Sequence, residues 1–304
     1  MAPEVTIIIP CYKVGKYLRQ CLDSVLNQSN NNIQVVAVND ASPDDSGTIL
    51  DDYATRDSRL QVVHQYLNGG VSVARNIGMS NAGAPFIMFL DGDDWLPPDA
   101  VANLLALQQR NNADFVCANA RQYSETGQSG RMHFCYAKGN YLLNFHQKTN
   151  LMHYHQKFFC TCWAKLFRTE LLRKHKMTFN SELRHAQDTL FTHSFVIYAQ
   201  PLTAINYDLV SCYYRQNPTS IVHAISLEKR LYNLKLLIEA LDNLALKAAQ
   251  PRWLAAEKSA EYLWAIRKFS TVLPISESKF WHQPLTAITL CQSPDPPGAQ
   301  GCQN

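Results

Sequence analysis

The chain has 304 residues, 46% from the hydrophobic set and 17% charged, enough to bury a large core and too apolar for a disordered or fibrous protein. Its 28 Lys and Arg against 25 Asp and Glu leave a formal charge of +3, without the clustered basic excess of a duplex-binding protein, which argues against nucleic acid as a main partner. The length implies one large α/β domain with a helical extension, or two domains sharing an interface.

Val5 to Ile9 is a short apolar run closed by Pro10, the pattern of a strand buried on both faces. Leu18, Cys21, Leu22, Val25 and Leu26 then recur at spacings of three and four, one stripe of an amphipathic helix over Lys16 to Asn27. Ile33 to Val38 reads as a second buried strand, Asp44 to Asp57 as a helix, and Leu60 to His64 as a third strand. Gly69-Gly70 opens a helix over Val71 to Ala82, and Pro85 precedes a strand over Phe86 to Leu90. Pro97 and Pro98 start a further helix with Val101, Leu104 and Leu105 inward, and Phe115 to Ala118 is a fifth strand. Alternation of this kind predicts a parallel sheet with right-handed crossovers and a ligand at the carboxyl ends of its strands.

Residues 119–225 are aromatic- and His-rich without clean periodicity, and no elements are assigned there. From Leu227 the pattern turns helical, with Leu231, Leu234, Ile238 and Leu241 on one face and a second helix over Ala255 to Phe269. The expected organisation is therefore 1–118 as an alternating strand-helix half, 119–225 as an irregular half and 226–292 as a helical region. Residues 293–304, rich in proline and poor in apolar side chains, read as a disordered tail. Nine cysteines without paired spacing read as reduced thiols of a cytosolic protein, and the C-x-C of Cys160 and Cys162 has no second pair at zinc-site spacing. Met1 to Glu4 leads straight into the first apolar run with no basic segment, too short for a signal peptide. No run approaches the ~20 apolar residues that span a bilayer, so the expectation is a soluble or peripheral protein.

Four polar clusters fall where the strands end. In Asn39-Asp40-Ala41-Ser42 a short carboxylate can accept from a base or a ribose hydroxyl, and the same residue types also make turns and caps. Asp91-Gly92-Asp93-Asp94 holds three carboxylates in four residues, which repel unless a cation or several donors compensate; Mg²⁺ or Mn²⁺ suits one or two of them plus a diphosphate. A plain helix cap, with Asp94 at the cap position, is the alternative. Gly69-Gly70 leads a helix with Arg75 one turn in, suited to an anion, but it is neither a dinucleotide fingerprint nor a P-loop. Asp188, in Gln187-Asp188-Thr189-Leu190-Phe191, reads equally as a helix cap or as a lone catalytic base.

Taken together, Val5 to Lys13, Val38 to Ser42, Gly70 to Gly78 and Phe89 to Asp94 resemble, in order and spacing, the family 2 inverting glycosyltransferases of GT-A fold. Trp163 to Arg168, Gln187 to Phe191 and Tyr213 to Ile221 look like the second half of the bacterial polysaccharide-type members. The resemblance implies an α/β GT-A domain, with Pro10 and Tyr12 at the nucleotide and Tyr12 along a uracil ring. It implies Asp40 reading the base, Arg75 positioning the nucleotide, and Asp91 and Asp93 as the D-x-D that meets the sugar and a Mg²⁺ or Mn²⁺ ion. Asp188 then matches the general base, so that 1–118 would be the nucleotide-sugar-binding half and 119–225 the acceptor-binding half that holds the base. The chain departs from the family at Asn39 and Gln187, where acids are common, but keeps the second residue of each pair.

The implied reaction transfers a sugar from a UDP-sugar to a hydroxyl of a growing bacterial surface glycan (O-antigen, capsule or lipopolysaccharide outer core) with formation of a β-glycoside. Lys165, Arg168, Tyr214 and Arg215 are candidates for diphosphate or acceptor contacts, and His185 and His223 for the metal or the acceptor. Trp264, Arg267, Lys268 and Phe269 would suit a membrane edge, so peripheral association with the cytoplasmic face of the inner membrane stays open. Two other classes compete. A sugar nucleotidyltransferase of related fold would carry a Gly-rich basic loop where this chain has Pro10 to Lys13, and a non-catalytic nucleotide-sugar or glycan-binding module would not depend on Asp188.

Overall fold

The computed structural model describes residues 2–124, 129–133, 138–144, 159–199 and 202–216, with 232–233, 235–240 and 243 in the C-terminal third. His223, the helix over 255–269 with its membrane-edge residues, and the tail 293–304 lie outside the described residues.

All seven residues of β1 (Val5–Cys11) are buried, as a continuous apolar run requires. β1 pairs in parallel with β2 (Ile33–Asn39) on one side and β4 (Phe86–Phe89) on the other, and β2 pairs in parallel with β3 (Leu60–His64). The strand runs past Pro10, where the sequence pattern placed its end. Pairing with β4 stops at Ile8, so the missing proline N–H faces no partner strand on that side.

The crossovers are α1 (Gly15–Leu26), α2 (Ser46–Arg56) and α3 (Val71–Ser80), and α4 (Ala100–Asn111) follows β4. The expected stripe of α1, Leu18, Cys21, Leu22 and Val25, is buried. α3 packs on β1 at Gly78, where an added Cβ would stand 2.2 Å from Ile8 Cγ2, so only glycine permits the approach. Pro97 and Pro98 precede α4 rather than open it, and its cap position is Asp99, not Asp94.

Strands β1 to β4 form the expected parallel sheet, whereas the fifth expected strand joins it only through an antiparallel neighbour from the second half, where the sequence assigns no elements. The order is β3-β2-β1-β4-β8-β5-β9-β7, with β6 (Ser129–Met132) on β5 (Phe115–Tyr123). β8 (Lys165–Arg168) runs antiparallel to both β4 and β5, while β9 (Leu202–Arg215) is parallel to β5 and antiparallel to β7 (Asn140–Asn144). β5 crosses position 118, so the sheet is continuous where the sequence suggested a boundary. Two helices flank this half, α5 (Thr169–Lys174) and α6 (Gln187–Ala199). Phe89, Phe167, Phe179 and Phe191 form an edge-to-face cluster, closed by a Phe179–Phe191 stack at 3.9 Å, that seats α6 against the end of β4. Among the described residues no helix is long and apolar enough to cross a membrane.

Candidate active site

The loops at the carboxyl ends of β1, β2 and β3 are tied to one another before any ligand is considered. Asp40 is buried, and its two oxygens accept from the Gly69 and Gly70 N–H groups at 2.7 and 2.8 Å. Gly70, at φ +87°, adopts a conformation that a side chain would strain. Asn39 occupies the position of the commoner acid by offering both a donor and an acceptor. Its Oδ1 takes the Ser42 N–H at 3.0 Å and its amide nitrogen lies 3.0 Å from His64 Nδ1. Ser42 Oγ in turn accepts from the Lys13 N–H at 2.8 Å, and Asp44 accepts from the Gly15 N–H at 2.9 Å, supplying the cap that α1 lacks. Burial opposes ionisation of Asp44, but its bonds from Ser42, Ser46 and Gly15 win and pull its pKa down to about 2. Tyr12 sits partly exposed beside this network.

Asp91-Gly92-Asp93-Asp94 resolves its charge crowding by division. Asp94 is fully buried, accepts from the Arg215 N–H at 2.8 Å, and is pushed well above the usual carboxylate range by burial and then by Asp93 and Asp91. Burial thus favours its protonated form, and Asp91 and Asp93, both partly exposed, are the two carboxylates of the loop left facing solvent. A two-carboxylate oxygen set fits Mg²⁺ or Mn²⁺ that keeps waters and substrate phosphates as its other ligands. Among the described residues there is no cluster of three metal-binding side chains.

Arg75 joins the two halves of the molecule. Its side chain is 3% exposed, with Nη2 donating to Asp91 Oδ1 at 2.7 Å and Nη1 to Asp188 Oδ1 at 2.5 Å. Burial alone would lower its pKa, but the charges of Asp188 and Asp91 outweigh that and raise it. The neighbouring Asn76 clasps Phe179 through both of its backbone groups, at 2.9 and 2.8 Å, which fixes the segment leading towards Asp188. Asp188 stands in the first turn of α6, and its Oδ2 lies 3.3 Å from both the N–H and the thiol of Cys162.

The remaining sequence candidates separate. Lys165 is buried, with Nζ donating to Thr161 Oγ1 at 2.7 Å and to the Trp163 carbonyl at 3.2 Å. Arg168 pairs with Asp114 at 2.6 Å and lies opposite Phe86, the first residue of β4, so it stands at the other edge of the sheet from Asp91. Arg215 is buried as a brace. Its guanidinium lies 4.6 Å from both the Tyr17 and Trp95 rings and bonds the Asp93 carbonyl at 3.0 Å and Gln20 at 2.5 Å. Tyr214 stacks on Trp163 at 5.6 Å near the end of β4, to which Trp163 is bridged at Phe89. The His185 main chain is held by Asn233, which also takes the Arg184 N–H at 2.6 Å. Asn233 and Cys162 carry no motif signal in the sequence, and only the fold brings them here.

Backbone strain marks the same places. Of the non-glycine residues with positive φ, Lys13, Ala41, Ala164 and Ala186 each lie within two residues of Tyr12, Asp40, Cys162 or Asp188, while Asn112 and Lys176 end helices.

Residues 6–176 match the family described as Glycosyl transferase family 2, more than half of the chain. The chain belongs to this family. The uncharacterized glycosyltransferase EpsJ of Bacillus subtilis is 35% identical over 224 residues, covering 73% of this chain and 63% of EpsJ, so the chain spans less than two thirds of that relative. The poly(ribitol-phosphate) beta-glucosyltransferase of Bacillus spizizenii is 25% identical over 209 residues, 67% of this chain and 31% of that one. S. aureus TarS 1-349 in complex with UDP-GlcNAc superposes with a TM-score of 0.73 at 21% identity, covering 91% of this chain and 78% of TarS, which establishes the shared GT-A fold. In this family 2 chain the matched segment holds Asp40, Arg75, Asp91 and Asp93 and ends before Asp188.

Proposed function

We propose that the protein is an inverting glycosyltransferase that moves a sugar from a UDP-sugar onto a hydroxyl of a bacterial surface glycan, forming a β-glycosidic bond. The observation that carries this is the Arg75 bridge, which sets a D-x-D carboxylate and the Asp188 carboxylate on the two sides of one guanidinium. The donor's diphosphate and the attacking hydroxyl need that juxtaposition. Support for the donor class comes from the fold shared with TarS, which binds UDP-GlcNAc, and for the acceptor class from the similarity to a poly(ribitol-phosphate) glucosyltransferase.

In this account Asp91 and Asp93 would hold a Mg²⁺ or Mn²⁺ ion, which would supply neutralisation of the charge on the departing diphosphate. Tyr12 lines the base, with Pro10 beside it, and Asp40, already fixed by Gly69 and Gly70, has lone pairs left to read it. Asp188 accepts the proton of the acceptor hydroxyl as that oxygen attacks the anomeric carbon from the face opposite the leaving group. One base suffices, because the leaving group departs as an anion and needs no proton. Tyr214 with Trp163 offers an aromatic wall for the acceptor. Residues 119–225 form the acceptor side, and Asn233 holds the Arg184 and His185 main chain just ahead of the base.

A screen of nucleotide sugars for thermal stabilisation, with and without Mn²⁺, tests the donor assignment. A metal-dependent rise in Tm with a UDP-sugar is expected. The absence of such a shift for every UDP-sugar overturns it.

A further inference from the structure

Asp188 is held at both oxygens, and its second holder is a thiol. Oδ1 accepts from Arg75, whereas Oδ2 receives the main-chain N–H and the Sγ of Cys162, each at 3.3 Å. Cys162 is fully buried, and both its N–H and its thiol are turned on this one oxygen. A cysteine serving only as a small core hydrophobe has no reason to turn its sulfur on a carboxylate. Burial, the largest influence on it, pushes the Cys162 thiol up, so it keeps its proton and donates instead of opposing Asp188 with a second negative charge. The backbone on both sides is fixed. Trp163 is bridged to Phe89 at the end of β4, and the strained Ala164 and Ala186 lie two residues from Cys162 and from Asp188.

We infer that Cys162 is a positioning residue for the transfer reaction: its N–H and S–H occupy Asp188 Oδ2 and so direct the acceptor proton to the free lone pair of Oδ1. The inference rests on Asp188 being the base. A carboxylate oxygen offers two acceptor positions. Oδ2 has both filled by Cys162, Oδ1 has one filled by Arg75, and 17% of the Asp188 side chain stays open to solvent. Arg75 from α3 alone would leave the carboxylate free to rotate about its single tether. The thiol removes that freedom, at the cost of a weak bond that a hydroxyl can replace.

The test uses the full chain and the UDP-sugar that stabilises it, with UDP release as the readout and water as acceptor where no glycan is in hand. Cys162→Ala and Cys162→Val, the second of which keeps the volume filled, should each lower kcat by about 10- to 100-fold, the cost of a misplaced catalytic group. Donor KM and the UDP-sugar thermal shift should stay within about twofold, since no donor contact is lost. Cys162→Ser, which restores an O–H donor, should recover most of the rate. Full kcat in the Val variant, or a Ser variant as slow as Val, overturns the inference. Its failure is separable from failure of the base assignment: an Asp188→Asn variant that still turns over at the native rate overturns both, whereas a dead Asp188→Asn beside an active Cys162→Val overturns only this one.

Discussion

Residues 5–94 place their polar groups by repetition, whereas residues 159–215 place theirs by reaching across to the first half. In the repeated βα units each apolar strand ends at the same edge, so Asp40, Asp91 and the Gly70 turn arrive together with little help from distant sequence. The second half contributes a single acid, Asp188, and needs an antiparallel strand, a phenylalanine cluster and the Asn76 clasp on Phe179 to deliver it. The first half is thus a self-consistent binding surface. The second supplies the acid proposed as the base, and its position depends on contacts with the first.

The Arg75 bridge is the strongest of those contacts and the place where the comparison breaks first. Arg75→Met leaves Asp91 and Asp188 without their shared cation. Breaking a buried pair costs about 3–5 kcal/mol, and because the two acids keep 31% and 17% exposure the expected loss here is smaller, about 2–4 kcal/mol by urea unfolding. UDP release should vanish. Arg75→Lys, able to keep one of the two pairs, should regain part of the stability and little of the rate.

Arg215 is the next contact. It ties β9 to the D-x-D loop through the Asp93 carbonyl, Gln20 and two aromatic faces. Arg215→Gln should cost about 2 kcal/mol through lost charge-assisted bonds and cation–π contact. The Mn²⁺-dependent part of the UDP-sugar thermal shift should shrink more than the metal-free part, because the loop bearing Asp93 loosens.

Acid stability probes the second half by itself. Burial lowers His133 and His193 from 6.5 to about 4, with Lys165 and Arg131 adding to the effect at His133. These groups stay neutral in the fold while the unfolded chain takes up protons. Stability is therefore complete above pH 6.5 and falls as pH drops towards 4, by up to about 1.4 kcal/mol per pH unit for each site. Tm measured from pH 7 to pH 5 should decline, and His193→Asn should flatten the slope. Limited proteolysis at pH 5 should cut within 159–215 before 5–94.

What the sequence made legible follows the same division. Tyr12, Asp40, Arg75, Asp91 and Asp93 sit directly after apolar runs or one turn into a helix, and local pattern is enough to put them at one edge. The cations proposed from the second half fared differently, because a lone Lys or Arg takes its meaning from strand pairing. Lys165 points into the core, Arg168 falls at the far edge because β8 is antiparallel, and Arg215 turns inward as a brace. Asp94 shows the same limit on a smaller scale: three acids in four residues read as one charged cluster, and only the fold shows that the third is buried and its carboxyl pushed up. Cys162 and Asn233 had no signal at all, since a thiol or an amide gains its role only from the neighbour that the fold gives it.

The central claim, that the first half binds the donor and the second supplies the base, is tested most directly by Asp188→Asn. Donor binding, read as the Mn²⁺-dependent thermal shift with the UDP-sugar, should persist within about twofold, while turnover should fall by about 10²- to 10⁴-fold, the range of a lost general base. Turnover at the native rate, or loss of the donor-induced shift together with turnover, would contradict it.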